Sequence, residues 1–405
     1  MTWLIRADRA RGGLVVDAGL YGISFLFALI TAYTSTLPPH RAWGSIAAWF
    51  YLAALVVVGT QLLLSRPAGR MLTTWLTFAG VALVPLVMQA AQRAAGRTDR
   101  AQEEVLVVEH MGKRLIDTGT PYLGPDAIAA LPPGEELLGY SPYQPAMAVF
   151  GIPRALAGDG WWTDARVWFA VVTIAAIAVA VTMAGNVRGL QAATVLPICA
   201  LTLATGGDDL PVLALCLLAL ALCATDRPAA AGPAVGAAAA LKLFALPVMI
   251  VLAVLAVATG RGRRFLPGAI GLPFAVLVPA FVINADALIE NVIRFPLGHG
   301  LVTSPAQSPF PGYLISSVVP GGRYIAAALL ISAGGGIAVL LLRRPPRTAT
   351  AAALFCGYGL LAAILLMPTT RFGYLLYPIA LLAWAVTGLL PLRIQQTHSH
   401  RTPAA

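Results

Sequence analysis

Residues Glu103 to Tyr143 read EEVLVVEHMGKRLIDTGTPYLGPDAIAALPPGEELLGYSPY and carry seven of the chain's seventeen acidic residues. This is the longest polar segment, and apolar spans flank it on both sides. Outward from it, 59% of the chain is hydrophobic and only 11% is charged. The mean hydropathy is +0.80. A soluble domain normally has about 25% charged residues, so a chain this poor in charge needs lipid as solvent for much of its surface. Several apolar runs reach ~18 residues or more, enough for a helix to cross a ~30 Å hydrocarbon core. Backbone groups cannot stay unpaired in lipid, so the spans are helices. The alternating pattern of an outer-membrane barrel is absent. The fold class expected is an all-α polytopic membrane protein.

The net charge of +10 does not point to nucleic acid. Most Lys and Arg residues cluster at span ends, where the positive-inside rule puts them. Cys199, Cys216, Cys223 and Cys356 all fall inside apolar runs. With no CxxC and no His nearby, they read as small core residues rather than metal ligands or a disulfide. No metal and no cofactor is expected. The first apolar run follows Arg6, Arg9 and Arg11 and continues to about Leu37 without a small-residue cleavage site. It reads as a retained anchor rather than a signal peptide.

The charge bias gives a topology of about twelve spans, within a range of ten to twelve. The basic N-terminus is placed in the cytoplasm. Spans are expected near Val15–Thr34, Ile46–Leu64 and Leu72–Met88, followed by a long outer loop over residues 89–166. Within that loop VLVVEHMGKRLI has the spacing of an amphipathic helix lying on the membrane. Further spans fall near Val167–Ala184, Ala193–Ala204 and Leu210–Ala224. GPAVGAAAALKLFALPVMIVLAVLAVATG has basic or polar ends on both sides, so it must cross an even number of times. It reads as two short helices turning between Lys242 and Pro247. The last spans fall near Leu266–Ile283, Tyr324–Leu342, Thr348–Met367 and Phe372–Leu390. A second outer loop covers 284–323, and the polar tail 392–405 is expected to be cytoplasmic and disordered. The whole chain, 1–405, reads as one membrane-embedded domain.

This topology brings polar residues to the outer face: Glu103, Glu104, Glu109, His110, Asp117, Asp208, Asp209, Lys242, Arg294, His299 and Arg371. Ionisable groups near the membrane plane are costly and are functional candidates by default. Glu104 and Glu109 read either as a carboxylate that takes a proton from an acceptor hydroxyl or as solvated charge on the amphipathic helix. Asp208 and Asp209, in GGDDLP, either favour the N-terminus of a helix or bind substrate. Lys242 is a lone lysine in an apolar run. It either snorkels to the interface or presents charge to an anionic head group, as Arg294 and Arg371 could. His299, in PLGHG, is a phosphate contact or a loop residue. RFPLGHGLVTSPAQSPFPGYL is too polar to insert and too apolar for a free linker, which suggests an ordered cover over a groove.

GTPYLGP, preceded by an acidic residue and an amphipathic helix and followed by YSPYQP, resembles the first outer loop of GT-C superfamily glycosyltransferases. TGGDDLPVLALCLLALAL, AAAALKLFALP, RFPLG with SPAQSPFPGYL, and TTRFGYLLYP then resemble, in order, segments of glycosyltransferase family 87. These are the polyprenyl-phosphate-mannose-dependent α-mannosyltransferases of actinobacteria. The resemblance implies a GT-C-like architecture with a long first catalytic outer loop and an extracytoplasmic active site. It implies a polyprenyl phosphate sugar donor, usually mannose, and a glycolipid or glycan acceptor. The reaction would invert the anomeric carbon. The family's catalytic acid precedes an A-x-x-L-L-x-x-G-x-P-Y pattern. Counting back from Pro121 and Tyr122 places it at Glu104, where the family more usually has Asp. Glu109 and Asp209 are the alternative acid/base residues. Lys242, Arg294, His299, Arg371, Asp208 and Tyr122 are the residues assigned to the donor phosphate or substrate. The chain also carries two spans before this loop that the family's shortest members lack. Two rival readings remain: a flippase for a lipid-linked intermediate, which would show repeated halves and broken spans at the midplane, and a catalytically silent membrane scaffold. A lipid-sized groove leading to Glu104 favours the enzyme.

Overall fold

The computed structural model describes residues 10–66 and 68–388. Nine residues of the basic N-terminus, the end of the last expected span at Leu390 and the tail 392–405 lie outside the described residues. Among the described residues there are helices and no strand; a single isolated bridge joins Gln307 to Thr370. The expected all-α polytopic fold is present.

The helices are α1 (Leu14–Thr34), α2 (Pro38–Leu63), α3 (Arg70–Ala94), α4 (Glu103–Thr118), α5 (Ala165–Ala184), α6 (Val187–Thr194), α7 (Pro197–Thr205), α8 (Asp209–Ala224), α9 (Pro228–Leu241), α10 (Ala245–Ala258), α11 (Gly262–Ile283), α12 (Pro311–Val318), α13 (Gly322–Arg343), α14 (Ala349–Leu366) and α15 (Leu376–Gly388). Seven of these described helices are long and apolar enough to cross a membrane, and α6 with α7 makes an eighth candidate bent by 46°. α8, α9 and α10 are shorter apolar helices, as is the segment Phe372–Ala385 that includes most of α15. They stand where the remaining spans were expected, so the arrangement is compatible with twelve crossings. At 1.5 Å per residue a helix of 14 residues is only ~21 Å long. α9 and α10, each of that length, therefore fall short of an upright crossing.

Proline decides where helices bend. Pro85 sits inside α3 and has no N–H for the carbonyl four residues back, Val81. A π-helical turn, Ala79–Leu83, precedes it, and the Trp43 indole of α2 donates to the orphaned Val81 oxygen at 2.7 Å. Pro197 starts α7 and breaks what was expected as a single span near Ala193–Ala204. At the break the Val195 carbonyl accepts from the buried Tyr51 hydroxyl at 2.6 Å. Away from these bends, Asp17 of α1 holds Arg70 of α3 at 2.6 Å, pairs with Arg188 of α6, and accepts from Gln191 at 3.0 Å. These contacts tie the N-terminal hairpin to the rest of the bundle.

α3 runs to Ala94, beyond the expected end near Met88. The extra turn is held by Arg93, whose charge is buried against carboxylates of the following loop. The break between α9 and α10 falls at Lys242–Phe244, as the flanking charges required. Lys242 there is extended (φ −153°, ψ 142°). The carbonyl of Leu241, orphaned at the end of α9, accepts from the Gln144 backbone N–H at 3.1 Å.

Tyr51→Phe should cost about 1–3 kcal/mol, the usual penalty for a buried acceptor left unpaired. The lowered melting temperature of the purified protein in detergent checks this.

Candidate functional site

α4 buries Val105, Val107, Val108, Glu109, Met111 and Gly112 on one side. Glu103 and Glu104 occupy its first turn, where the helix dipole favours negative charge. Two contacts fix that end. The Gln102 backbone N–H donates to Thr205 O at 2.9 Å, and the Thr205 hydroxyl donates to Gln102 Oε1 at 2.8 Å. Further along, Gly112 packs directly on the backbone of Gly151 and Ile152, so a Cβ at Gly112 would collide with it.

Glu109 is buried on the same helix. Arg93 grips its carboxylate with two nitrogens, at 2.8 and 2.6 Å. Arg93 also donates to Asp164 at 2.8 Å, and Arg154 approaches Glu109 at 3.3 Å. Asp164 caps α5 by accepting from the Arg166 N–H at 3.1 Å. It also receives the guanidinium of Arg166, which is 0% exposed and reaches the Arg100 and Ala204 carbonyls at 2.8 and 3.0 Å. Glu109, expected as an alternative acid/base, is instead saturated with arginine and does not line the cavity described next. Its contacts suit a tie that holds α4 to α3 and α5.

A cavity of about 650 Å³ opens at this end of the bundle. Glu103, Glu104, Asp208, Asp209, Lys242 and Arg371 all line it, from four separate stretches of the chain. Arg371 pairs with Glu104. Lys242, 7% exposed, donates to Asp208 at 2.7 Å and Asp209 at 2.6 Å. Its ammonium also sits over the rings of Tyr143 and Tyr374, at 5.2 and 5.4 Å. Asp209 accepts from the Tyr377 hydroxyl at 2.7 Å, and Phe244 stacks on Tyr377 at 5.3 Å. This triad stitches α8, the α9–α10 break and α15 together.

The segment expected as a cover is ordered over the cavity. Phe295, Pro296, Ser304, Pro305 and Ala306 line it. Phe295 stacks on Tyr140 at 4.1 Å, and the Tyr140 hydroxyl donates to Glu290 at 2.9 Å. The cover is also strapped to the turn carrying Arg371. The Ser308 N–H donates to Thr370 O, and the Thr370 N–H to Ala306 O, both at 2.9 Å.

Other expected site residues fall outside the cavity lining. Arg294 is half exposed and faces Glu290 at 3.4 Å, and His299 is exposed on the cover loop. Their sequence neighbours Phe295 and Pro296 turn inward instead. Asp117 pairs with Lys113 at 2.7 Å on the solvent side of α4, and His110 is exposed. Tyr122 lies beneath the wall, where its hydroxyl donates to Tyr143 O at 2.7 Å. It positions Tyr143, and burial pushes its phenol up, so it stays a donor. Lining residues not expected from the sequence include His40 at the start of α2, Gln102 and Tyr374. His40 could have been found as a histidine one turn into a span, in PPHRAW. No local pattern marks the other two.

The profile of glycosyltransferase family 87 matches residues 141–368, more than half of this 405-residue chain. The chain belongs to glycosyltransferase family 87. The matched region includes Asp208, Asp209 and Lys242; Glu104 precedes it and Arg371 follows it. No curated protein matches the chain. Among solved structures it is similar to ArnT from Cupriavidus metallidurans bound to undecaprenyl phosphate, with 19% identity and a TM-score of 0.49, covering 78% of this chain and 60% of that one. The apo form of the same ArnT gives 18% identity and a TM-score of 0.47. The chain thus spans about 60% of the length of these ArnT chains.

The buried ion network makes two measurable demands. Glu109→Gln leaves Arg93 without its bidentate partner and should cost about 3–5 kcal/mol of stability, read as a lower melting temperature. Burial alone would raise the Asp164 carboxyl, but Arg166 and Arg93 outweigh it and hold the group below the ordinary value. Its contribution is complete above the unfolded carboxylate value of about 3.9 and is lost as pH falls through the lower folded value. A melting temperature that falls in acid for the wild type, and falls less for Asp164→Asn, checks the sign.

Proposed function

We propose that this protein is a membrane glycosyltransferase that moves a sugar from a polyprenyl phosphate to a glycolipid or glycan acceptor outside the plasma membrane. The observation that carries this reading is the cavity. It joins a carboxylate, Glu104, to cations and to an apolar wall of Phe27, Ile198, Leu201 and Leu243. A lipid-linked phosphosugar needs all three: a proton acceptor for the attacking hydroxyl, positive charge for the leaving phosphate and an apolar path for the prenyl chain. Family membership supports sugar transfer, and the sequence resemblance favours mannose as the sugar.

In the proposed reaction Glu104 takes the proton of an acceptor hydroxyl. The hydroxyl oxygen attacks the anomeric carbon from the side opposite the phosphate, which inverts that carbon. The C1–O bond to phosphate breaks, and polyprenyl phosphate leaves with the electron pair. Arg371 is the preferred contact for that charge, since it lines the cavity and is 34% exposed in its side chain. Lys242 with Asp208 and Asp209 acts as a fixed floor beneath the sugar. Asp209 remains the alternative base because it also faces the cavity, although Lys242 and Tyr377 already occupy one of its oxygens. The flippase reading has less support: Glu104, Asp208, Asp209, Lys242 and Arg371 gather in one cavity.

Labelled polyprenyl phosphate mannose and a membrane glycolipid extract, supplied to proteoliposomes, test the proposal. Wild type should transfer label, and Glu104→Gln should reduce the rate by about 10²-fold or more, the usual scale of general-base loss. Full transfer by Glu104→Gln would remove Glu104 as base and leave Asp209 to be tested by Asp209→Asn. Translocation of the labelled lipid without any transfer would favour the flippase.

A further inference from the structure

The cations at the cavity differ in what they can still bind. Lys242 gives two of its three N–H bonds to Asp208 and Asp209, at 2.7 and 2.6 Å, and aromatic rings flank it. A phosphate placed on it would meet two carboxylates at contact distance, and the repulsion would offset the gain. Among the described residues Arg371 has one carboxylate partner, Glu104, and both side chains are partly exposed, at 34% and 17%. One carboxylate leaves donors on a guanidinium that has five. The turn bearing Arg371 is backbone-bonded to the cover through Ala306, Thr370 and Ser308, so the arginine sits where cover and cavity meet.

We infer that Glu104 and the donor phosphate compete for Arg371, so that arrival of a lipid phosphate unpairs Glu104 and makes its carboxylate available as the base. This inference rests on the glycosyltransferase reading and deepens it. Without donor, the ion pair occupies the Glu104 carboxylate and keeps it from the acceptor hydroxyl. With donor bound, the monoanionic phosphodiester takes the guanidinium, for which phosphate is a favoured partner. Glu104 then faces the acceptor hydroxyl. The acceptor O–H bond breaks as its proton passes to Glu104, the new C1–O bond forms, and the old C1–O bond breaks with its electrons going to the phosphate. The prenyl phosphate stays on Arg371 until it departs. Glu104 loses its proton to solvent and re-forms the ion pair. The pair thus links the availability of the base to occupancy by donor, which protects the site from idle proton chemistry when no sugar is present.

Competition predicts an effect of sign opposite to a shared binding site. The test is equilibrium binding of labelled farnesyl phosphate to the full-length protein in nanodiscs, with farnesol as the control for the prenyl chain. Glu104→Gln should bind farnesyl phosphate roughly two- to ten-fold more tightly than wild type, because Arg371 no longer has to leave a carboxylate. Arg371→Gln should bind roughly ten-fold more weakly, with Arg371→Lys between it and wild type. In the double variant the gain from Glu104→Gln should vanish. Farnesol binding should change in none of them, which also shows that each variant keeps its fold. Unchanged or weaker phosphate binding by Glu104→Gln, or a gain that persists in the double variant, overturns the competition while leaving the enzyme reading intact. Absence of farnesyl phosphate binding by every form, with farnesol still bound, overturns the phosphate-donor reading itself and the inference with it.

Discussion

Arg93, held between Glu109 and Asp164, is the contact on which the cavity's geometry depends. A guanidinium at the end of a membrane helix is costly unless it is paired and fully hydrogen-bonded. Its two carboxylates come from different elements, α4 and the cap of α5. Satisfying one buried charge therefore fixes the position of the whole first loop. Arg166 extends the same network to the end of α7 through the Ala204 carbonyl. The next residue, Thr205, receives Gln102 at the start of α4. These ties set the helix end that carries Glu104 at the cavity, where Arg371 pairs with it.

Two ion systems then share the cavity and have different freedom. The Lys242 system is closed: two carboxylates, a tyrosine hydroxyl and two rings saturate it, and it joins three helical elements. The Glu104–Arg371 pair is open to the cavity on both partners. Burial of a closed cluster favours rigidity, since removing any member leaves a charge unpaired. A half-exposed pair costs little to exchange. A rigid floor beside an exchangeable pair is a sensible division for an enzyme that must hold one substrate while its charge distribution changes.

Short and broken helices are part of the same design. α9 and α10 stop at Lys242, and α6 and α7 bend at Pro197. Backbone that leaves the helical pattern near a membrane needs other partners for its N–H and C=O groups. Gln144 supplies one at Leu241, Tyr51 another at Val195, and Trp43 a third at the π-turn of α3. The residues that satisfy these breaks come from distant parts of the chain, so each break also adds a long-range tie.

The sequence by itself determined the all-helical membrane class, most span positions, the amphipathic character of α4 and the break near Lys242. Those follow from apolar run length, helical periodicity and the parity imposed by basic ends, all of which are local or additive along the chain. It also brought Glu104, Asp208, Asp209, Lys242 and Arg371 to one end of the bundle, because topology alone decides which end a loop reaches. Only the tertiary structure decided who pairs with whom. Glu109 and Glu104 lie five positions apart on one helix and are chemically alike; the rotation of α4 against α3 and α5 buries the first among arginines and opens the second to the cavity. Arg294 and Arg371 both lie near prolines in sequence, but Arg294 ends a helical turn facing Glu290, while Arg371 lines the cavity beside the strap between Thr370 and the cover loop. Spacing along a chain cannot carry such information, since an ion pair depends on the relative placement of elements that are far apart in sequence.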